Sequence, residues 1–159
     1  MQSPSTPSRD AVAQAARIRH DVAALTLLAT TLLAKSGVRD DIARAVAELL
    51  VDADLMGHTT HGLALLAPYL DEIARGAMRA SGEPTLVAAR TAPQFWDGNR
   101  LPGPWLTRRA FDAASALARE HGTGTVVTRR SHHIACLAAY LPASTARGQM
   151  GIVHCSDPS

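Results

Sequence analysis

Apolar residues recur at helical spacing through the first half of the chain. This spacing predicts three amphipathic helices, over residues 21–35, 40–56 and 63–75. Gly37 follows the first of them as a stop signal, and Asp40 is placed to cap the second. We therefore expect residues 21–80 to form a helical layer.

From residue 81 onward, the pattern changes to short apolar runs separated by turn residues. Asp97-Gly98 is one such turn signal, typical of a hairpin or a strand-to-helix turn. Beyond it, the pattern predicts a helix over 105–120, a buried strand over 125–128, a helix over 137–147 and a strand over 151–155. Strand, helix and strand in this order predict a βαβ unit with parallel strands. We therefore expect a mixed α/β fold, in which residues 81–159 form the start of an incomplete sheet domain.

Composition excludes several classes of protein. With 16 basic and 14 acidic residues, the net charge of +2 favours neither nucleic acid nor a membrane surface as a partner. No apolar run approaches the ~20 residues of a membrane-spanning helix. Residues 1–20 are expected to be a disordered or weakly helical tail, without the apolar core of a signal peptide. Cys136 and Cys155 are too few for a disulfide framework, which indicates reduced thiols in a cytoplasmic protein.

Two histidine clusters are candidates for chemistry. The first is the sequence GHTTHG at residues 57–62, at a junction between predicted helices, where groups that titrate near neutral pH indicate a functional site. The second is Ser131-His132-His133, which follows the predicted strand over 125–128. The carboxyl end of a strand is where α/β proteins bind ligands. Because His132 and His133 alternate in direction, only one of them is expected to face a site.

Other interpretations of these residues remain open. His58 and His61 could share a zinc ion, but the glutamate of a His-Glu-x-x-His motif is absent, and we predict no metal site. Gly122-Thr123-Gly124 begins like a dinucleotide-binding loop, but Val127 occupies the third glycine position and the segment leads into a strand. His133 could be a structural histidine whose ring nitrogens are satisfied within the fold.

Taken together, the motifs follow a known order. They are ADLMGHTTHG at 53–62, Tyr69, IARG at 73–76, Asp97-Gly98, Val126-Val127, Ser131-His132-His133, GQMGI at 148–152 and Ser156-Asp157-Pro158. This set resembles the N-terminal portion of the malate/L-lactate dehydrogenase family, a non-Rossmann group that includes ureidoglycolate and sulfolactate dehydrogenases and imino-acid reductases. The resemblance covers residues 21–159.

The resemblance implies an oxidoreductase that uses NAD or NADP, transfers a hydride to or from a 2-hydroxy or 2-oxo acid, and forms a homodimer. His133 matches the family's catalytic acid/base, and His61 matches an active-site histidine that contacts the substrate. Tyr69 matches a residue that lines the substrate pocket. Thr60, a hydroxyl neighbour of His61, can help to hold the substrate carboxylate. Ser156, or Asp157 if the match slips by one residue, is implied to contact the cofactor.

Two departures from the family accompany the resemblance. Many members carry an arginine four residues after the position of His61, where this chain has Leu65. Family members are also longer, so we expect the chain by itself to have little or no dehydrogenase activity. The alternative function is a non-catalytic dimerisation or interaction module, built on the helical layer.

Overall fold

The structure is a computed structural model that describes residues 19–156. The predicted tail therefore lies outside the described residues as far as residue 18, as do residues 157–159. Within the described range the fold is mixed α/β, which confirms the predicted class. No helix in this range combines the length and apolar character needed to cross a membrane.

Three helices form the helical layer, α1 (Val22–Lys35), α2 (Asp40–Leu55) and α3 (Leu66–Ala74). Asp21 caps α1, since its carboxylate accepts a hydrogen bond from the Ala24 amide at 2.8 Å. Gly37 has a φ of +86°, the left-handed conformation that lets the chain turn from α1 into α2. The predicted capping role of Asp40 is wrong. Asp40 is the first residue of α2, where its charge favours the helix dipole instead.

The third predicted helix is interrupted. Its first turn is a short 3₁₀ segment, Leu63–Leu65, and α3 begins only at Leu66. Another 3₁₀ segment, Thr59–His61, precedes it. Gly62 has an extended backbone between the two segments, because the amide that follows it is drawn to a side chain of α2 rather than to the preceding turn. His61 and Tyr69 therefore do not share the face of one continuous helix.

Three strands form one mixed sheet in the order β1-β2-β3: β1 (Thr85–Ala89), β2 (Pro93–Asp97) and β3 (Thr125–Arg129). β1 pairs with β2 antiparallel, and β2 pairs with β3 parallel. The connection from β2 to β3 is α4 (Gly103–His121), which ends at Gly122 in the left-handed conformation, as predicted. The parallel crossover is thus β2-α4-β3. The sequence pattern had predicted it between the strands over 125–128 and 151–155.

The segment after β3 differs from the prediction. The expected helix over 137–147 is a 3₁₀ turn, Leu137–Tyr140, followed by the short helix α5 (Leu141–Thr145), because Pro142 lacks the amide needed to continue one helix through. Residues 151–155 form no strand, since no described strand pairs with them. β3 is not buried on both faces. Val127 is 47% exposed because α4 covers only one face of the sheet.

One hydrophobic core joins the helical layer to the sheet region. Its large buried side chains include Ile42, Val46, Leu50, Tyr69, Met78, Leu101, Trp105, Leu106 and Tyr140. These residues come from α2, α3, α4, the loops between them and the 3₁₀ turn that ends at Tyr140, so both sides of residue 80 contribute to the same core. Burial of this apolar surface holds the helical layer against the start of α4.

Trp105, in the first turn of α4, packs in this core and also makes polar contacts with residues from other segments. Its ring lies beneath the guanidinium groups of Arg39 and Arg109, 5.2 and 4.8 Å from the ring centroid, in cation–π geometry. Its indole N–H donates to the Asp41 carboxylate at 3.1 Å. Glu83 accepts hydrogen bonds from both arginines, so three segments of the chain meet around Trp105.

Replacement of Trp105 by alanine is expected to destabilise the fold. Trp105 is only 4% exposed, and truncation of a buried aromatic side chain lowers the free energy of unfolding by about 3–5 kcal/mol. Urea denaturation followed by circular dichroism measures this loss. The control is Leu27→Ala at a position 68% exposed, for which we expect a change within about 0.5 kcal/mol. Equal losses in the two variants would contradict the central position of Trp105.

Candidate active site

His61 lies at the end of a turn that α2 holds in place. The Asp54 carboxylate accepts a hydrogen bond from the Leu63 amide at 2.8 Å, and the His61 amide donates to the His58 carbonyl at 2.8 Å. Gly62 is buried against Asp54, where a Cβ atom would overlap the carboxylate. The glycine therefore permits the close approach that fixes the direction of His61.

The second histidine cluster follows β3 and lies against the start of α4. The His132 amide donates to the Leu101 carbonyl at 3.2 Å, and the Arg100 amide donates to the Arg130 carbonyl at 2.7 Å. A Cβ atom on Gly103 would overlap the carbonyl oxygens of His132 and His133. Glycine is thus required for α4 to begin in direct contact with this loop.

A buried carboxylate stabilises the same loop. Asp97, at the end of β2, is 3% exposed. It accepts hydrogen bonds from the side chains of Arg130 at 2.9 Å and Arg129 at 3.0 Å, and from the Asn99 amide at 3.0 Å. The hydrogen bond from Arg130, with those from Asn99 and Arg129, lowers the pKa of the Asp97 carboxyl. The ionised form of Asp97 therefore joins β2 to the residues that lead into His132 and His133.

The structure brings His61, Tyr69 and His133 together, although they come from three separate segments. The rings of His61 and His133 are stacked, with centroids 5.8 Å apart and an interplanar angle of 27°. The Tyr69 hydroxyl lies 3.0 Å from His133 Nδ1 and donates to the His133 carbonyl oxygen at 3.2 Å. Both histidines are exposed, whereas Tyr69 is 2% exposed. Burial raises the pKa of the Tyr69 hydroxyl, which keeps it protonated at neutral pH.

Thr60 and Leu65 lie on either side of the His61 turn. The Thr60 hydroxyl is 2.9 Å from His61 Nδ1, and its side chain is exposed beside that ring. Leu65, at the position where the resemblance suggested an arginine, packs against the hydrophobic core. Its side chain has no group that could pair with a carboxylate.

His132 also contacts the cluster, so the expectation that only one of the two neighbouring histidines faces it is wrong. Its ring lies edge-on to Tyr69 with centroids 6.0 Å apart. The expectation applied the alternation of a strand, but β3 ends at Arg129 and Arg130 has a φ of +51°. Beyond that turn, successive side chains no longer point to opposite faces.

Glu72 is a member of the cluster that sequence reasoning did not identify. Its carboxylate lies 3.4 Å from His132 Nε2 and also pairs with Arg75. Glu72 follows Tyr69 by three residues on α3, so the two side chains lie on one face of the helix. The three-residue spacing from Tyr69 was the signal in the sequence that could have identified Glu72. Asp54 and Gly103 have no such signal, because the residues they contact are distant in the sequence.

The remaining predicted site residues lie at or beyond the end of the described chain. Ser156 is exposed, and Asp157 lies outside the described residues. Within residues 19–156, the glycines that begin like a dinucleotide loop form no phosphate cradle, because Gly124 packs against the backbone of α4. Over the same residues, no three His, Cys, Asp or Glu side chains are arranged to hold a metal ion.

Comparison with known proteins points to one family. The family model described as malate/L-lactate dehydrogenase matches residues 20–159. The chain is similar to an L-sulfolactate dehydrogenase of Methanothermobacter thermautotrophicus, with 28% identity over 77% of this chain and 36% of the relative. It is also similar to an L-lactate dehydrogenase of Cupriavidus necator, with 32% identity over 76% of this chain and 35% of the relative.

Solved structures give the same result for the fold. The malate dehydrogenase of Pyrococcus horikoshii superposes with a TM-score of 0.80 at 28% identity, over 82% of this chain and 38% of that one. A malate dehydrogenase of Entamoeba histolytica superposes with a TM-score of 0.79 at 26% identity, over 82% of this chain and 37% of that one. This chain thus spans little more than a third of the length of the relatives it matches.

Asp97→Asn is expected to lower the thermal unfolding midpoint at pH 7, because the amide cannot hold two guanidinium groups as the carboxylate does. The pKa of Asp97 is lower in the folded state than in the unfolded chain, so its contribution is fully present above about pH 4. That contribution is lost as the pH falls through the folded-state pKa. The difference between wild type and variant should therefore shrink below about pH 4.

Differential scanning calorimetry across this pH range measures the effect of Asp97→Asn. The matched control is Asp112→Asn, which removes the carboxylate of an exposed pair with Arg147. Exposed pairs contribute little to stability, so this midpoint should change far less. A pH-independent difference between wild type and Asp97→Asn would show that the charge of Asp97 is not what stabilises the loop.

Proposed function

The chain belongs to the malate/L-lactate dehydrogenase family, and from this membership and the His61–Tyr69–His133 cluster we propose that the protein is an NAD- or NADP-dependent oxidoreductase of 2-hydroxy and 2-oxo acids. The observation that carries the proposal is the stacking of His61 on His133, with the Tyr69 hydroxyl hydrogen-bonded to the latter. In this arrangement two exposed imidazole rings, which can exchange protons, lie next to the hydroxyl of a buried tyrosine, and that hydroxyl is hydrogen-bonded to His133.

His133 is proposed as the catalytic acid/base. In oxidation of a 2-hydroxy acid, it accepts the proton of the substrate hydroxyl as the carbon–oxygen double bond forms. In the reverse reaction it returns that proton to the oxo group. The nicotinamide, when bound, accepts or supplies the hydride. The side chain of His133 is exposed, so a substrate can reach it, and its backbone is held by contact with Gly103.

His61 and Thr60 are proposed to bind the substrate, with His61 also part of the catalytic pair. A protonated or N–H-donating imidazole and a neighbouring hydroxyl can both donate hydrogen bonds to a carboxylate. Their exposure beside His133 supports this role. Tyr69 is proposed to belong to the same pocket as the group behind His133, because the tyrosine ring is buried and its hydroxyl is directed at that histidine. Leu65 indicates that the carboxylate is not held by an arginine at that position.

The cofactor contacts are proposed at Ser156, with Asp157 as the alternative. The exposure of Ser156 is compatible with a hydrogen bond from its hydroxyl to a nucleotide. We further propose that the active protein is a homodimer, and that residues 21–80 and 81–159 act as a helical layer and a sheet domain that share one core. Two free cysteines, Cys136 and Cys155, support the expected cytoplasmic location.

A non-catalytic interaction module is the weaker alternative. Such a module requires apolar helix faces. It does not require two exposed histidines that stack on each other beside a buried tyrosine hydroxyl. The hydrogen bonds that hold Asp54 to the His61 turn, and Asp97 to the loop before His132, likewise position the histidines rather than an exposed helix face.

His133→Ala tests the proposed acid/base role, in the protein produced from its complete reading frame. The rate of NADH or NADPH oxidation with a panel of 2-oxo acids should fall about 10²–10⁴-fold, the usual contribution of a positioned acid or base. His20→Ala serves as the control, since His20 is exposed before α1, and should leave the rate unchanged. A full rate in His133→Ala would remove the proton-transfer role from this residue.

A further inference from the structure

The loop that carries His133 has a left-handed backbone conformation at each end, in both cases at a residue with a side chain. Arg130 has a φ of +51° and Ala135 a φ of +55°. This conformation is uncommon outside glycine, because the Cβ atom crowds the backbone. The Asp97 carboxylate holds the bend at Arg130. Another contact is needed to hold the bend at Ala135.

The peptide group that joins Ile134 to Ala135 is held at both ends. Its carbonyl oxygen accepts a hydrogen bond from the Tyr140 hydroxyl at 2.5 Å. Its N–H donates to His133 Nδ1 at 3.2 Å. The C=O and N–H of a trans peptide are fixed to one plane and point in opposite directions. The hydrogen bond from Tyr140 therefore also sets the direction of the N–H that reaches the His133 ring.

Tyr140 is itself held rigidly enough to act in this way. Its side chain is buried in the hydrophobic core. Its ring stacks on Phe111 of α4, with centroids 5.7 Å apart and an interplanar angle of 12°. Burial raises the pKa of the Tyr140 hydroxyl, so the hydroxyl keeps the proton that it donates. The donor to the Ile134 carbonyl is thus fixed in place and present throughout the neutral pH range.

A competing orientation of the same peptide group would relieve the bend. If the plane turned over, the φ of Ala135 would become negative, the sign that residues with a side chain ordinarily adopt. The Ile134 carbonyl would then point away from Tyr140, and the Ala135 N–H away from the His133 ring. The conformational preference of Ala135 thus opposes the observed orientation, and the hydrogen bond from Tyr140 supports it.

We propose that Tyr140 is a positioning residue, which holds the Ile134–Ala135 peptide group against the backbone strain at Ala135 and so keeps the His133 ring in its place. The inference rests on the proposed function, since it makes the reaction of His133 depend on Tyr140. Tyr140 exchanges no proton with a substrate. Tyr69 donates to the carbonyl oxygen of His133 itself, so two tyrosine hydroxyls hold the carbonyl groups of two consecutive residues.

The orientation of this peptide group can be measured without turnover, in the protein produced from its complete reading frame. A positive φ brings the amide and α protons of a residue close together, so wild type should show an unusually strong nuclear Overhauser cross-peak between these protons of Ala135. Tyr140→Phe keeps the stacked ring and removes only the hydroxyl. In this variant the cross-peak should weaken. A weak cross-peak in wild type, or an unchanged one in the variant, would overturn the proposal.

Tyr140→Phe should also lower kcat about tenfold, the scale of one lost hydrogen bond, with little change in KM. The double variant Tyr140→Phe/Ala135→Gly distinguishes positioning from general loosening. Glycine adopts a positive φ without steric cost, so the peptide group is no longer driven to turn over. The double variant should therefore recover most of the loss in kcat. Equal kcat values in the single and double variants would show that strain at Ala135 is not what Tyr140 opposes.

The double variant also decides the case in which Tyr140→Phe alone does not fold. Recovery of folded protein on addition of Ala135→Gly is then the expected rescue, and circular dichroism detects it. A double variant that likewise fails to fold would contradict the proposal, because removal of the strain would not have replaced the hydrogen bond from Tyr140.

Thr145→Val is the matched control. The Thr145 hydroxyl also donates to a backbone carbonyl of the same segment, that of Pro142 at 3.0 Å, but it is exposed. Both kcat and the cross-peak of Ala135 should stay as in wild type. A change as large as in Tyr140→Phe would mean that loss of any hydroxyl loosens this segment, which contradicts a specific role for Tyr140.

Failure of this inference is distinguishable from failure of the proposed function. If His133→Ala retains full activity, His133 is not the acid/base, whatever holds its loop. If His133→Ala is inactive and Tyr140→Phe keeps both the wild-type cross-peak of Ala135 and the wild-type kcat, only the role of Tyr140 is lost.

Discussion

The buried carboxylate of Asp97 is the interaction on which the placement of the site depends. It ends β2 and accepts hydrogen bonds from Arg129 and Arg130, the last residue of β3 and its successor. Arg130 takes a left-handed backbone conformation, uncommon for a residue with a side chain. The chain therefore leaves β3 in a fixed direction, and the histidines that follow reach the helical layer. The charge of Asp97 adds to backbone hydrogen bonds at the same place, where the Gly98 amide donates to the Arg129 carbonyl at 2.8 Å.

Three segments supply the cluster, and each is fixed by a different kind of contact. The His61 turn is held by the carboxylate of Asp54, Tyr69 by burial on α3, and the His133 backbone by its approach to Gly103. None of these contacts depends on the exposed side chains themselves. The position of each segment is therefore set by the fold around it, and the roles of His61, Tyr69 and His133 in a site stay predictions.

Much of the fold could be predicted from local signals. The spacing of apolar residues located α1, α2 and α4, and Gly122 marked the end of the last of these correctly. Long-range contacts could not be predicted in this way. The break at Gly62 depends on a hydrogen bond from Leu63 to α2, and pairing of residues 151–155 needs a neighbouring strand that the described residues do not contain.

Prediction of the site followed the same division. His61 was identified because groups that titrate near neutral pH at a helix junction indicate a functional site, and His133 because ligands bind at the carboxyl ends of strands. The resemblance added the role of Tyr69. Glu72 lies three residues from Tyr69 on the same helix face, a relation visible in the sequence once α3 is placed. The contact of His132 with Tyr69 was missed because the alternation of a strand was extended beyond the residue at which β3 ends.

The start of α4 has a consequence for how this chain can vary. Gly103 lies between Pro102 and Pro104, both fully buried, so the backbone there has little freedom to move aside. Any larger residue at 103 must displace the carbonyl oxygens of His132 and His133, since the helix itself cannot retreat. A position with no functional group is thus among the least tolerant of substitution. The backbone positions of His132 and His133 thus depend on a glycine that two prolines hold rigid.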